Sequence, residues 1–434
     1  MANPTNFLDE LAWRGMLLQH TEGAHEWLER QNVSAYCGFD PTAASLHVGN
    51  LVPVMGLMHL QRCGHRPIIL VGGGTGLIGD PSGKSTERPM ISPDVIAQNA
   101  AAMHEQLEQF LDFGGARGAK MLNNAEWLTK LGAIEFMRDV GKHFSVNVML
   151  AKESVRGRME SGISYTEFSY MLLQAYDFLE LNRREGVTMQ VGGSDQWGNI
   201  VSGIELLRRS AGQTAHGATF PLLTTAAGTK FGKTEAGAVW LDPNLTSPYQ
   251  FYQFWINTDD RDIGRNLRFF TLLTREDIER LESATAEQPE QRAAQRVLAR
   301  EVTVRVHGTD AAHAAEEVSA LLFGKSDPAG LSRSALDALA REVPFAELPA
   351  PDNGSLDTLE LFTRALPAAV ASRGAARRLL EQGGLSVNGV RLGADDKIVA
   401  VDRVLPGGHL LLRKGARDWA VVRVGGAAER TREP

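Results

Sequence analysis

The chain has 434 residues, room for two or three domains, and its 43% hydrophobic and 22% charged content is that of an ordinary soluble protein. No apolar run approaches the length of a membrane span, and two cysteines, Cys37 and Cys63, exclude a disulfide framework or a cysteine-only zinc site. The net charge of −7 is unevenly spread: from Ser355 onward there are 13 Lys/Arg against 9 Asp/Glu, so any surface for nucleic acid is expected there. The polar, acidic start, Met1 to Glu10, has the pattern of neither a signal nor a transit peptide, so a reducing cytoplasm is expected, with no membrane partner.

In chain order, Val33 to Cys37 reads as a buried strand, Gly38 to Ser45 as a turn, and Leu46 to His59 as a helix. His47 and Asn50 share the first-turn face of that helix, and Gly49 between them leaves room for a flat ring. Donors at a helix start fed by a strand suit a polyphosphate, although a lone His there serves equally as ordinary structure. Pro67 to Val71 is a second strand, followed by Gly72-Gly-Gly-Thr-Gly-Leu-Ile-Gly-Asp-Pro-Ser-Gly-Lys-Ser85. A P-loop needs Gly five places before Gly83, where Ile78 stands, and Pro81 removes a backbone donor; that reading fails.

Farther along, Tyr170, Gln174 and Asp177 are spaced i, i+4, i+7 on a helix whose other residues are mostly apolar. Such a buried polar stripe is satisfied either within the fold or by a ligand. Val187 to Val191 is a strand running into Gly192-Gly-Ser-Asp-Gln-Trp197, in which Asp195 alone reads as an N-cap. Alternating strands and helices up to about Ala226 predict a parallel α/β sheet. Lys230 and Lys233 lie in the glycine-rich Gly228-Thr-Lys-Phe-Gly-Lys-Thr234, where a solvated pair is the simplest reading. Ser247 to Phe323 reads as all-helical, Ser326 to Ser355 as a linker with a short helix near Ala335 to Arg341, and the last eighty or so residues as a small α+β unit. In that unit Ser372 to Gly389 is a helix, a Gly-Gly stop and a strand, with Arg373, Arg377 and Arg378 near one helical face.

Together, Tyr36-Cys-Gly-Phe-Asp-Pro-Thr through His47-Val-Gly-Asn50 and Gly228 to Thr234 resemble the HIGH and KMSKS signatures of class I aminoacyl-tRNA synthetases. Tyr36 to Thr42 with Gly192 to Trp197 resemble the bacterial tyrosyl branch over nearly the whole chain. The resemblance implies a Rossmann-like catalytic domain at 1–226, a KMSKS loop and helical domain at 227–325, and a linker at 326–354. It further implies an RNA-binding domain of the ribosomal S-four type at 355–434, with Arg373, Arg377 and Arg378 on RNA phosphates. The reaction implied is tyrosine plus ATP giving tyrosyl adenylate and pyrophosphate, then transfer of tyrosine to the 3′ end of tRNA(Tyr).

By the same resemblance Tyr36 and Asp177 take the phenolic hydroxyl of L-tyrosine, and Asp80, Tyr170 and Gln174 its ammonium. Gln196 lies on the carboxylate side, with Gln190 and Asn124 in support. Gly38, Asp40, Gly49, Gly192 and Asp195 attend the nucleotide, Asp195 at the ribose. Thr42, His47, Asn50, Lys84, Arg88, Lys230, Lys233 and Thr234 stabilise the phosphates. No permanently bound cofactor or protein metal site is implied; magnesium comes with ATP, a homodimer is expected, and an apolar-rich region from Ile134 to Leu150 could supply its surface. Arg208 and Arg209 suit either the tRNA acceptor end or a solvated helix end. Two departures stand out: Asn50 replaces the second signature His, keeping an N–H donor, and the second motif reads Lys-Phe-Gly-Lys-Thr, keeping both lysines. Alternatives are the tryptophanyl branch, another nucleotidyltransferase of the superfamily, and an RNA-binding protein on a catalytically retired scaffold.

Overall fold

The computed structural model describes residues 6–82, 91–115, 117–157, 159, 162–234, 237–324 and 326–425. It divides into two compact units, 1–242 with 258–294, and 243–257 with 295–434.

The first unit is built on six strands: β1 (Gln19–His20), β2 (Ser34–Phe39), β3 (Arg66–Val71), β4 (Lys120–Asn123), β5 (Met189–Gly193) and β6 (His216–Phe220). They lie in the order β1-β6-β5-β2-β3-β4, parallel throughout except for β1. Ile68 and Ile69 in β3 are both fully buried, as expected of a parallel strand covered on both faces. From β2 the chain runs outward to β3 and β4, then returns to the other side for β5 and β6. The crevice between β2 and β5 is therefore the topological switch point of the sheet. These two strands pair only at Ala35–Met189 and Tyr36–Gln190, so beyond Tyr36 the sheet opens.

The principal helices before the second signature are α1 (Phe7–Arg14), α2 (Leu51–Arg62), α3 (Pro93–Leu107), α4 (Tyr165–Glu185) and α5 (Trp197–Ala211). The helix expected from Leu46 begins later, with a 3₁₀ turn at Val48–Asn50 running into α2, because His47 caps that turn in extended backbone. A reciprocal Ser164–Glu167 capping box starts α4, and Gly186 in left-handed conformation ends it. The glycine run after β3 serves packing. A Cβ at Gly72 would meet Asp40 Oδ1 at 2.2 Å and Thr75 Oγ1 at 2.6 Å, so glycine leaves room for the Asp40 side chain beside the end of β3.

The helices at Asp260–Phe270 and Arg275–Glu287 belong with this sheet, not with the other helices of the expected 227–325 domain. Buried Arg14 accounts for part of this, donating to the carbonyls of Arg268 and Thr271 at 2.8 and 3.0 Å and of Leu273 at 3.1 Å.

The second unit holds helices Pro248–Ile256, Thr309–Phe323 and nearly all of Ala293–His307, followed by a five-stranded sheet. The sheet order is Val390–Arg391, Leu385–Val387, His409–Lys414, Asp418–Val424 and Phe345–Leu348. Helices Thr358–Ala365 and Arg373–Glu381 close its core over Phe362, Leu410, Leu412 and Val422. The stretch expected as a linker is ordered: it carries helix Arg333–Leu339 and an edge strand, Phe345–Leu348, parallel to Asp418–Val424. Its Pro, Gly and Ala content hid a strand whose partner lies far along the chain. Among the described residues no helix is long and apolar enough to cross a membrane.

Candidate active site

A cavity of about 700 Å³ opens beyond the carboxyl ends of β2 and β5, lined by residues of both strands, of α4 and of the His47 turn. Its inner end is the most unusual part. Asp177, 1% exposed, accepts from Asn124 Nδ2 at 2.9 Å and from Trp127 Nε1 at 2.7 Å. Burial pushes its carboxyl up to about 7; the two donors pull the other way, while Asp40 and Glu180 add repulsion. Beside it Tyr36 is buried against the edge of Phe178, and its hydroxyl has no hydrogen-bond partner among the described residues. Burial first, then the Asp177 charge, holds the Tyr36 phenol well above its usual range, so it stays protonated and able to donate. Gln190 Oε1 is likewise unpartnered.

Asn124 is the hub behind this end. Its Oδ1 accepts from the Gly74 N–H at 2.7 Å and its Nδ2 also reaches Thr75 Oγ1 at 2.9 Å, so the amide orientation is set and one N–H is aimed at Asp177. Sequence reasoning gave Asn124 a supporting place but missed Trp127. The available signal was its position three residues on, in the short helix Ala125–Leu128.

Toward the middle lies a chain of amides and one carboxylate. Gln174 Nε2 donates to Gln196 Oε1 at 3.1 Å, and Gln196 Nε2 to Asp80 Oδ2 at 2.7 Å. Asp80 also holds the Ser82 N–H at 2.8 Å. Asn199, absent from the expected set, donates to Gln174 Oε1 at 3.0 Å from the first turn of α5. Tyr170 lines the same wall. At the mouth, Gly38, Asp40, Gly192 and Asp195 line the cavity. Burial and then the charge of Asp80 raise the Asp195 carboxyl above its ordinary value.

The His47 turn is a capping box. The His47 N–H donates to Asn50 Oδ1 at 3.0 Å, and His47 Nδ1 accepts from the Gly49 N–H at 3.1 Å. With Nδ1 accepting, the ring proton sits on Nε2; with Oδ1 accepting, the Asn50 amide offers only its NH₂. Both side chains line the cavity as donors, as does Thr42 with its hydroxyl. Gly49 is beside them but does not line the cavity.

Lys230 and Lys233 are exposed and stand outside the cavity lining, though the Lys230 charge is near enough to favour ionised Asp195. Their segment rests on the His47 turn: Val239 N–H donates to the Gly232 carbonyl at 3.1 Å, and Val48 N–H to the Val239 carbonyl at 2.9 Å. Thr234 is in a short strand, Lys233–Thr234; its side chain, like Lys84 and Arg88 altogether, lies outside the described residues. In the second unit Arg377 and Arg378 are exposed, whereas Arg373 pairs with Asp357 at 3.2 Å. Arg208 and Arg209 both bond Glu205, which they hold down to about 2. Among the described residues no cluster of His, Cys, Asp or Glu is assembled that could hold a metal.

The arrangement offers a deep donor–acceptor end, an acidic middle and a rim of neutral and cationic donors, which suits an amino acid condensing with a nucleotide. The family model described as tRNA synthetases class I (W and Y) matches residues 28–324. A tyrosine–tRNA ligase of Anaeromyxobacter dehalogenans is 52% identical over 419 residues, covering 96% of this chain and 99% of its own. One of Roseiflexus castenholzii is 53% identical over 424 residues, covering 97% and 100%. The crystal structure of a C-terminally truncated mitochondrial tyrosyl-tRNA synthetase of Coccidioides posadasii superposes with a TM-score of 0.64 at 33% identity, over 72% of this chain and 92% of that one.

Proposed function

The chain belongs to the class I tRNA synthetases of the tryptophan and tyrosine type, its reaction is the ATP-driven ligation of tyrosine to tRNA, and we propose that Tyr36 and Asp177 read the tyrosine phenol. One observation carries this: a buried carboxylate and an unpartnered phenol O–H share the closed end of the cavity. The substrate hydroxyl donates to Asp177 and accepts from Tyr36. Phenylalanine supplies neither bond: it leaves the Tyr36 hydroxyl dry, at about 1–3 kcal/mol, and withholds from Asp177 a donor beyond Asn124 and Trp127.

The substrate ammonium binds at Asp80, Tyr170 and Gln174, displacing the Gln196 amide from Asp80 and gaining a charge-assisted bond in its place. Gln196 then turns to the carboxylate, with Gln190 behind it. Asp195 holds the ribose, with Gly38, Asp40, Gly49 and Gly192 around the nucleotide. The tyrosine carboxylate attacks the α-phosphorus directly; the α-phosphorus–oxygen bond to pyrophosphate breaks, and tyrosyl adenylate forms. No protein nucleophile is needed, so rate enhancement comes from alignment and from stabilising charge on the departing pyrophosphate. Thr42, the Nε2–H of His47 and the NH₂ of Asn50 supply neutral donors, and Lys230 and Lys233 supply charge. Lys84, Arg88 and Thr234 complete that set by resemblance. Magnesium enters with ATP.

In the second step the adenylate passes tyrosine to the 3′ end of tRNA(Tyr), while Arg373, Arg377 and Arg378 hold RNA phosphates. The catalytic and RNA-binding segments are those expected from the sequence, except that residues 258–294 are grouped with the catalytic sheet and the ordered stretch before Ser355 with the C-terminal sheet. A second copy of the chain covers the apolar surface of Ile134, Met137, Val146 and Val148, exposed at 51% or more. The protein works in the cytoplasm, where its substrates are.

The test is tyrosine-dependent exchange of pyrophosphate into ATP, with phenylalanine and tryptophan as controls. Exchange with tyrosine alone supports the phenol reading. Equal exchange with phenylalanine removes Tyr36 and Asp177 from it.

A further inference from the structure

Lys230 and Lys233 are too exposed to be fixed by their own packing, yet the pyrophosphate contacts proposed for them demand fixed positions. The hairpin that carries Lys230 shows how that lysine is held. Thr225 N–H donates to the Thr229 carbonyl at 2.8 Å, Gly228 N–H to the Thr225 carbonyl at 2.8 Å, and Phe231 N–H to the Leu223 carbonyl at 3.1 Å. Thr224 and Lys230 form the bridge between its arms. The hairpin rests along one helix, Asp260–Phe270, at two places. At the helix start, Asp262 Oδ2 accepts from the Ala226 N–H at 2.8 Å, and Arg265 Nη2 holds Asp262 Oδ1 at 2.9 Å. At the helix end, Phe270 stacks on Phe231 with ring centroids 5.2 Å apart and planes 9° from parallel. Eight residues separate the two contacts, roughly 12 Å along the axis at 1.5 Å per residue, so the helix acts as a splint.

Resting on the tyrosine-activation reading above, we propose that Asp262 is a positioning residue for Lys230. Asp262 touches no substrate. It is 7% exposed and clamped by Arg265, and it fixes the tip of the hairpin; Phe231 fixes the base; Lys230 lies between the tip and Phe231. A helix with one loose end of the hairpin would still fold, but Lys230 would sample many positions, and a cation averaged over them stabilises little of the developing charge. The ground-state tyrosine pocket, built on β2, β5 and α4, is made without the hairpin.

Asp262→Ala, Asp262→Asn and both in a Lys230→Ala background test this. Asp262→Ala is expected to lower the kcat of activation at least tenfold with tyrosine affinity unchanged. Asp262→Asn keeps one oxygen acceptor for the Ala226 N–H but turns its NH₂ toward Arg265, so it is expected to recover part of the rate. In the Lys230→Ala background Asp262→Ala is expected to cost little more, because the group it positions is gone. A purely structural role would give additive losses and no rescue, and either result overturns the proposal. Hydrogen exchange at the Ala226 amide reads the contact without turnover: protected in the natural protein and in Asp262→Asn, open in Asp262→Ala. Equal protection in all three overturns the proposal as well. Absence of tyrosine-dependent exchange in the natural protein would instead count against the activation reading, leaving the amide measurement to judge the contact.

Discussion

A Cβ on Gly232 would lie 2.5 Å from Val48 Cγ2, so the segment bearing Lys230 and Lys233 is seated directly on the turn bearing His47 and Asn50. The two signatures meet through a glycine at φ +79, a conformation L side chains rarely adopt. Gly232→Ala therefore meets both a steric clash and a backbone penalty, about 1–3 kcal/mol together. The expected outcome is a fall in activation rate of about tenfold or more, one factor of ten per 1.4 kcal/mol, with tyrosine affinity retained. Equal loss of tyrosine binding would show that the two signatures are not coupled in this way.

Asp177 predicts a pH dependence with a definite sign. Its carboxyl titrates near 7 in the folded protein against 3.8 as the ordinary value. Between those values the native state holds a proton that the unfolded state has lost, so stability falls as pH rises from about 4 to 7 and levels off above, by about 4 kcal/mol from this group alone. The phenol O–H favours ionised Asp177, so tyrosine binding tightens as pH rises through about 7. Titration calorimetry between pH 6 and 8.5 reads this directly. Asp177→Asn should abolish the slope and erode selectivity over phenylalanine; a flat profile in the natural protein would remove Asp177 from the phenol site.

Trp127 tunes that titration. Replacing it with Phe leaves Asp177 Oδ1 without its 2.7 Å donor and costs about 1–3 kcal/mol of support for the charged form. The midpoint should move upward, so weakened tyrosine binding at pH 7 should recover in part at pH 8.5. A loss of equal size at both values would mean that Trp127 acts by packing alone.

Arg377→Ala with Arg378→Ala should leave pyrophosphate exchange intact and impair tRNA charging. For every RNA phosphate no longer neutralised, the slope of log affinity against log salt should shrink by about one. An unchanged slope would free both residues from RNA.

The exposed apolar surface predicts self-association. Val148→Glu, at a site 59% exposed, should convert dimer to monomer in light scattering with little effect on melting. A natural protein that is monomeric at all concentrations would refute the dimer.

Neighbouring residues alone determined much of this protein. The strands before Gly72, the i, i+4, i+7 stripe of Tyr170, Gln174 and Asp177, and the donor character of His47 and Asn50 are local matters of periodicity and side-chain chemistry, readable without a partner. The failed P-loop was legible too, from one misplaced glycine, but the actual use of that run was not: Gly72 makes room for Asp40, which follows the end of β2. The same limit hid Trp127 on Asp177, Asn199 on Gln174, Asp262 on Ala226, and the strand Phe345–Leu348 whose partner is Asp418–Val424. Each of these pairs joins residues distant in the chain, and a hydrogen bond shorter than about 3.2 Å needs both ends placed at once. Composition and spacing constrain only one end, and the path of the chain through space supplies the other.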